Sequence, residues 1–113
     1  MKVTQSEMLT PRLAEESARI GGLLARLRIA RQVKQADAAL RAGISRGTAG
    51  RIEQGNPGVA MGQLLRYLEA IAPGTTLLQL LSEQDPSLSA LAAREATKRV
   101  RDLTRDELRE LDF

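Results

Sequence analysis

The stretch KQADAALRAGISRGTAGRIEQG, residues 34–55, decides how this chain is read. It predicts a short helix over about 35–42, a tight turn at Gly43, and a second short helix over about 46–54. Gly43 is suited to the left-handed conformation that ends a helix. Ile44 follows as an apolar anchor for the turn, and Ser45 is a natural N-cap for the helix that carries Arg46 and Arg51.

The flanks extend the helical pattern in both directions. Upstream, Thr10-Pro11 has the form of a helix start, a capping residue followed by proline in the first turn. Glu15 and Glu16 sit near the positive end of the helix dipole. Ile20, Leu23, Leu24, Leu27 and Ala30 then recur at helical spacing up to Gln32-Val33. Gly21-Gly22 lies inside this run at a cost of about 1 kcal/mol each against alanine, which predicts a break or fraying before Gly21. Residues 1–9 lack periodicity and read as an arm. Downstream, Gly55-Asn56-Pro57-Gly58 is a turn. Met61, Leu64, Leu65, Leu68 and Ile71 mark a helix over about 61–72, stopped by Pro73-Gly74. Thr75 or Thr76 opens a short helix through Leu81. Asp85-Pro86 repeats the cap-then-proline signal before an apolar stripe through Leu88, Leu91, Ala92, Ala96, Val100 and Leu103. Thr104 to Glu107 reads as a capping box that starts a last turn or helix.

Composition agrees with an all-α protein. Hydrophobic residues make up 42% of the 113, but aromatics only 2%, so the core is expected to consist of Leu, Ile, Val and Ala. Cysteine is absent, which removes disulfides and thiolate metal sites and suits a cytoplasmic location. No apolar run approaches the ~20 residues that span a bilayer, so no membrane association is expected. Residues 1–81 carry 11 Lys and Arg against 6 Asp and Glu, a balance of +5; residues 82–113 carry 6 against 8, a balance of −2. A basic body with an acidic end suits a nucleic-acid-binding domain followed by a segment with another task. Catalytic chemistry finds no support. There is no histidine or cysteine, no nucleophile elbow, no phosphate-binding glycine loop and no carboxylate pair at metal spacing. No enzyme activity, cofactor or metal is expected.

Two short helices joined through a glycine turn form the helix-turn-helix arrangement, whose second helix can lie in the DNA major groove. Arg46 projects from the N-terminal end of that helix, where base edges are met, and can take guanine O6 and N7 in a bidentate contact. Arg51 follows about 140° around the helix, so the two are suited to different features, such as a base and a phosphate. Gln35 opens the preceding helix, whose first N–H groups favour a phosphate. Thr48 and Asn56 are further phosphate candidates, with local capping or turn roles as the alternative. Lys34 and Arg66 add non-specific attraction or are simply exposed. Gly47 and Gly50 lower the helix's intrinsic stability by about 2 kcal/mol relative to alanines; they permit a close approach to the groove but remove two side chains that could read bases.

From Ile20 to Leu81, about 62 of 113 residues, the chain resembles the Cro/C1-repressor-type (XRE-like) helix-turn-helix family. The likeness lies in Ile20-Gly21, Leu24 and Leu27-Arg28, in Gln35, in Gly43-Ile44-Ser45, in Thr48 with Arg51 to Gly55, and in Leu64-Leu65. Within that family it looks most like HipB-type antitoxins, through Gly55 to Ala60, Asp85-Pro86 and Lys98 to Arg101. The resemblance implies a five-helix, lambda-repressor-like DNA-binding domain over 18–82, after an arm and helix lead-in over 1–17. A helical C-terminal extension over 83–113 follows, for dimerisation or partner docking. It implies that Gln35 clamps a phosphate and braces the recognition helix, and that Arg28 and Glu53 form a structural ion pair between the first and third helices. Departures are Lys34 where a Ser or Thr usually caps, and Ala38 and Ala49 where larger aliphatics usually pack.

The expected function is sequence-specific binding of duplex DNA as a homodimer, acting as a repressor. Operator half-sites are read by dimers, and Leu88, Leu91, Val100, Leu103 and Leu111 to Phe113 offer either a self-association surface or a cover for the domain's own core. By resemblance, the chain could be an antitoxin that also binds a HipA-like kinase toxin. The alternative is a helical protein-interaction module that keeps the fold without reading DNA.

Overall fold

The computed structural model describes the backbone of residues 4–111 and the side chains of residues 4–102. Seven helices and no strand occur among the described residues: α1 (Gln5–Met8), α2 (Pro11–Ala30), α3 (Gln35–Ala42), α4 (Arg46–Glu53), α5 (Met61–Ile71), α6 (Leu77–Leu81) and α7 (Pro86–Leu111). The fold is all-α, with five helices, α2 to α6, forming the lambda-repressor-like domain and α7 the helical extension. No described helix is long and apolar enough to cross a membrane.

Local sequence accounts for most of the boundaries. Thr10 caps α2 by accepting from the Leu13 N–H at 3.3 Å, with Pro11 in the first turn. Past the end of α2, Gln32 takes φ +59°, while Val33 N–H reaches back to the Arg28 carbonyl at 3.1 Å and Gln32 N–H to that of Ile29 at 3.0 Å. This is a Schellman closure on a residue other than glycine. Gly43 ends α3 at φ +69°, and Ser45 Oγ accepts from the Thr48 N–H at 3.0 Å to start α4. Lys34 precedes α3 without a side-chain cap.

Three elements differ from their sequence reading. Residues 5–8 form a short helix rather than an unstructured arm, because Thr4 and Glu7 make a reciprocal capping box. α2 runs unbroken through Gly21-Gly22. A Cβ on Gly21 would stand 2.4 Å from the Gly55 nitrogen, and one on Gly55 would stand 2.4 Å from the Ala18 Cα. The pair lets α2 cross the end of α4 backbone to backbone, and Ser17 Oγ donates to the Gly55 carbonyl at 2.5 Å. That packing offsets the weak helix propensity of glycine. Finally, α7 passes through 104 without a new start, so the Thr104–Glu107 pattern falls inside a helix.

The core gathers around α2. Leu24, Leu27, Ile52, Leu68 and Leu80 are fully buried, and so is Tyr67, the largest of them. The expectation of a purely aliphatic core is thereby corrected: the chain's one tyrosine sits in its middle. Ala38 and Ala49 are both completely buried and belong to the same core cluster as Tyr67. Leu88 and Leu91 join the same cluster. The core thus runs past residue 82 into the first turns of α7, and these two leucines cover their own domain instead of offering a surface to a partner. Val100 is 63% exposed; the side chains of Leu103 and of Leu111 to Phe113 lie outside the described residues. Three ion pairs join the extension to α2, Arg31–Asp85 at 2.5 Å, Arg26–Glu95 at 2.6 Å and the looser Arg19–Glu83 at 3.8 Å. Beyond them α7 carries the molecule to 65 Å along its long axis, against 33 and 26 Å across.

Candidate nucleic-acid interface

The geometry of α4 follows from its sequence. With eight residues and two glycines, it is too short to persist in isolation. Thr48, Ala49 and Ile52 bury one face of it. The opposite face keeps Arg46, Gly47 and Arg51 exposed and Gly50 partly so.

Arg46 occupies the first helical position after the Ser45 cap, with its side chain exposed. Arg51 is exposed but held: its Nη2 donates to Thr48 Oγ1 at 3.0 Å, and its Nη1 lies 3.7 Å from where a Gly47 Cβ would stand. Helical side chains lean toward the N-terminus, and the bare Gly47 leaves room for the guanidinium to lie back along the helix. Arg51 therefore reaches toward the end that carries Arg46, which the angular separation of the two Cα positions did not indicate.

Of the two roles open to Thr48, phosphate contact or local capping, its surroundings show the local one. It is only 7% exposed, and its hydroxyl oxygen accepts from both Ser45 Oγ and Arg51, each at 3.0 Å. It braces Arg51 against the N-cap. Asn56 is half-buried in the turn after α4. Its backbone N–H closes the helix on the Arg51 carbonyl at 2.9 Å, and its Oδ1 accepts from the Gly58 N–H at 2.8 Å. The Asn56 side-chain NH2 has no protein partner among the described residues. Gln35 stands at the first position of α3, half-buried, and Asp37 shares that first turn. Lys34 and Arg66 are exposed, and the Arg66 guanidinium lies 3.6 Å from where a Gly43 Cβ would stand, beside the turn.

Behind α4 lies a partly buried charge network. Arg28 grips Glu53 in a fork, Nε to Oε2 at 2.7 Å and Nη2 to Oε1 at 3.1 Å, and donates from Nη1 to the Val33 carbonyl at 3.0 Å. The Tyr67 hydroxyl donates to the same Glu53 carboxylate. One network thus ties α2, α4, α5 and the turn before α3 together. Burial, then the neighbouring Glu53 carboxylate, pushes the Tyr67 hydroxyl far above its usual range, so it stays a donor. The hydrogen bond to Glu53 raises Arg28 further. Sequence reasoning found the Arg28–Glu53 pair through the family pattern and missed Tyr67, whose only signal was its position one residue before Leu68 of the α5 stripe.

At the root of α7, Asp85 accepts from Arg31 and, through Oδ1, from the N–H and hydroxyl of Ser87 at 2.9 and 2.6 Å. The Arg31 guanidinium holds its carboxyl down to about 2 against the cost of burial.

The family described as "Helix-turn-helix domain" matches residues 19–81, more than half of the chain. No curated protein and no solved structure matches it.

Proposed function

The chain belongs to the helix-turn-helix domain family, and we propose that it is a sequence-specific DNA-binding regulator that acts as a homodimeric repressor. The observation that carries this reading is the outward face of α4. Two arginines and two glycines are presented on the exposed face of the second helix of the motif, with Arg46 at the N-terminal end that meets base edges in such domains and the Arg51 guanidinium drawn back toward it. Arg46 reads a guanine. Arg51, pre-set by Thr48, takes a second base or an adjacent phosphate. Gln35 and Asn56 fix the register on the phosphate backbone, which positions the protein without specifying sequence. Gly47 and Gly50 let the helix backbone approach the groove floor. Arg28 and Glu53 hold α4 at its angle and stand outside the reading set. Catalysis is not part of this role.

Repression follows from occupancy of a promoter, and a homodimer from the two-fold symmetry of paired half-sites. With Leu88 and Leu91 committed to the core, self-association falls to the part of α7 beyond them or to the domain's own exposed face. The likeness to HipB-type antitoxins adds a protein partner, a HipA-like kinase toxin. Selection from a random duplex library tests the reading: enrichment of a two-fold-symmetric site whose half-site centres lie about 34–36 Å apart is the expected result. Absence of any enriched sequence, together with tight binding to a protein partner, would favour an interaction module that has kept the fold alone.

A further inference from the structure

We propose that α7 carries a second, sequence-independent contact surface for the phosphate backbone of duplex DNA, formed by Arg94, Lys98 and Arg101. The inference rests on the DNA-binding reading above and extends the footprint beyond the helix-turn-helix motif.

These three cations recur at i, i+4 and i+7, so they share one face of α7 and span about 10 Å of helix. All three are exposed, and with Ala93 and Thr97 they line an open groove of about 390 Å³. None of them enters an ion pair among the described residues. The nearby Glu95 is already committed to Arg26, through two hydrogen bonds of 2.6 and 3.3 Å. Leu88, Leu91 and Glu95 define the face docked on α2, and the cationic stripe lies roughly a quarter turn away from it. The body therefore leaves the stripe uncovered while it fixes the helix that bears it.

Charge complementarity selects the occupant. Three clustered positive charges that form no ion pair among the described residues call for a dense linear polyanion. Over about 10 Å of axis, duplex DNA presents about six phosphate charges. A lipid surface fits less well, because membrane-surface helices need several large apolar residues opposite the basic face, and here the described residues of the other side are Ala92 and Ala96 with Val100 as the one larger apolar side chain.

The test uses the full chain and its R94Q/K98Q/R101Q variant. Binding to a fluorescein-labelled 30-base-pair duplex of mixed sequence is followed by anisotropy over a potassium chloride series, with phosphatidylserine vesicles as a second probe. Each lost phosphate contact lowers the slope of log K against log salt by about 0.9, so a fall of about 2–3 is expected, with affinity in low salt reduced at least tenfold and helical circular dichroism unchanged. An unchanged slope in a variant that still binds overturns the inference and leaves the proposed function standing. Loss of vesicle binding with an unchanged DNA slope also overturns it and reassigns the stripe to a lipid surface. Failure of the unaltered chain to bind any duplex overturns both.

Discussion

Gly21 and Gly55 meet backbone to backbone, so closely that a Cβ on Gly21 would stand 2.4 Å from the Gly55 nitrogen and 2.5 Å from the Ile52 carbonyl oxygen. The contact sets how α2 crosses the end of α4. Gly21→Ala forces the helices apart and is expected to cost about 1–3 kcal/mol or more. At the adjacent Gly22 a Cβ meets nothing within 4 Å, so Gly22→Ala gains about 1 kcal/mol from helix propensity. Urea unfolding of the two variants checks the opposite signs.

Removing one member of the Arg28–Glu53–Tyr67 network separates its parts. Tyr67→Phe deletes one donor to Glu53 while the Arg28 fork remains, for an expected loss of about 1–2 kcal/mol. Arg28→Met strands the Glu53 carboxylate and costs about 3–5 kcal/mol. Thermal unfolding at neutral pH should rank them in that order.

The Arg31–Asp85 pair makes part of the stability depend on acid. Asp85 titrates near 2 in the folded chain, below its ordinary value of 3.8. A depressed carboxyl stabilises fully above its unfolded pKa and loses that contribution as the pH falls through its folded one. Asp85→Asn retains a capping side chain but loses the charge. Relative to this variant, the unaltered chain should be about 1–2 kcal/mol more stable at pH 7. The gap should close between about pH 4 and pH 2, as read by denaturant midpoints across that window.

Gly50 separates folding from recognition. A Cβ there meets nothing within 4 Å, so Gly50→Ala is expected to stabilise the domain by about 1 kcal/mol. On a helix seated close to bases, the same methyl group is expected to weaken DNA binding about tenfold, through lost contact at the groove floor. Equal DNA affinity in a stabilised variant would show that α4 does not approach that closely.

Much of this architecture was legible from local signals. The cap-and-turn residues Thr10-Pro11, Gly43 and Ser45 fixed the starts of α2 and α4 and the end of α3, because their effect depends only on the adjacent backbone. What lay beyond reach depended on contacts across long separations. Gly21-Gly22 looked like a break until Gly55 was found packed on it, and residue 32 carries no glycine to announce its left-handed turn. Tyr67 fell outside the expected aliphatic core because nothing in its own helix indicates Glu53. Leu88 and Leu91 suited a partner's surface as well as the domain's own core; their burial in the cluster around α2 decides for the core. In the candidate interface, periodicity placed Arg46 and Arg51 on the exposed side of α4. It could not foresee that Thr48 turns inward and draws the Arg51 guanidinium back over Gly47.

Methylation interference at guanine N7 tests the central claim most directly, since that atom lies in the major groove and is half of the bidentate arginine contact. On a selected site, the account predicts that N7 methylation of one guanine in each half-site blocks the unaltered chain, and that Arg46→Ala binds more weakly and ignores the modification. Binding by the unaltered chain that is indifferent to N7 methylation throughout the site, or an Arg46→Ala variant with the same interference pattern, would contradict it.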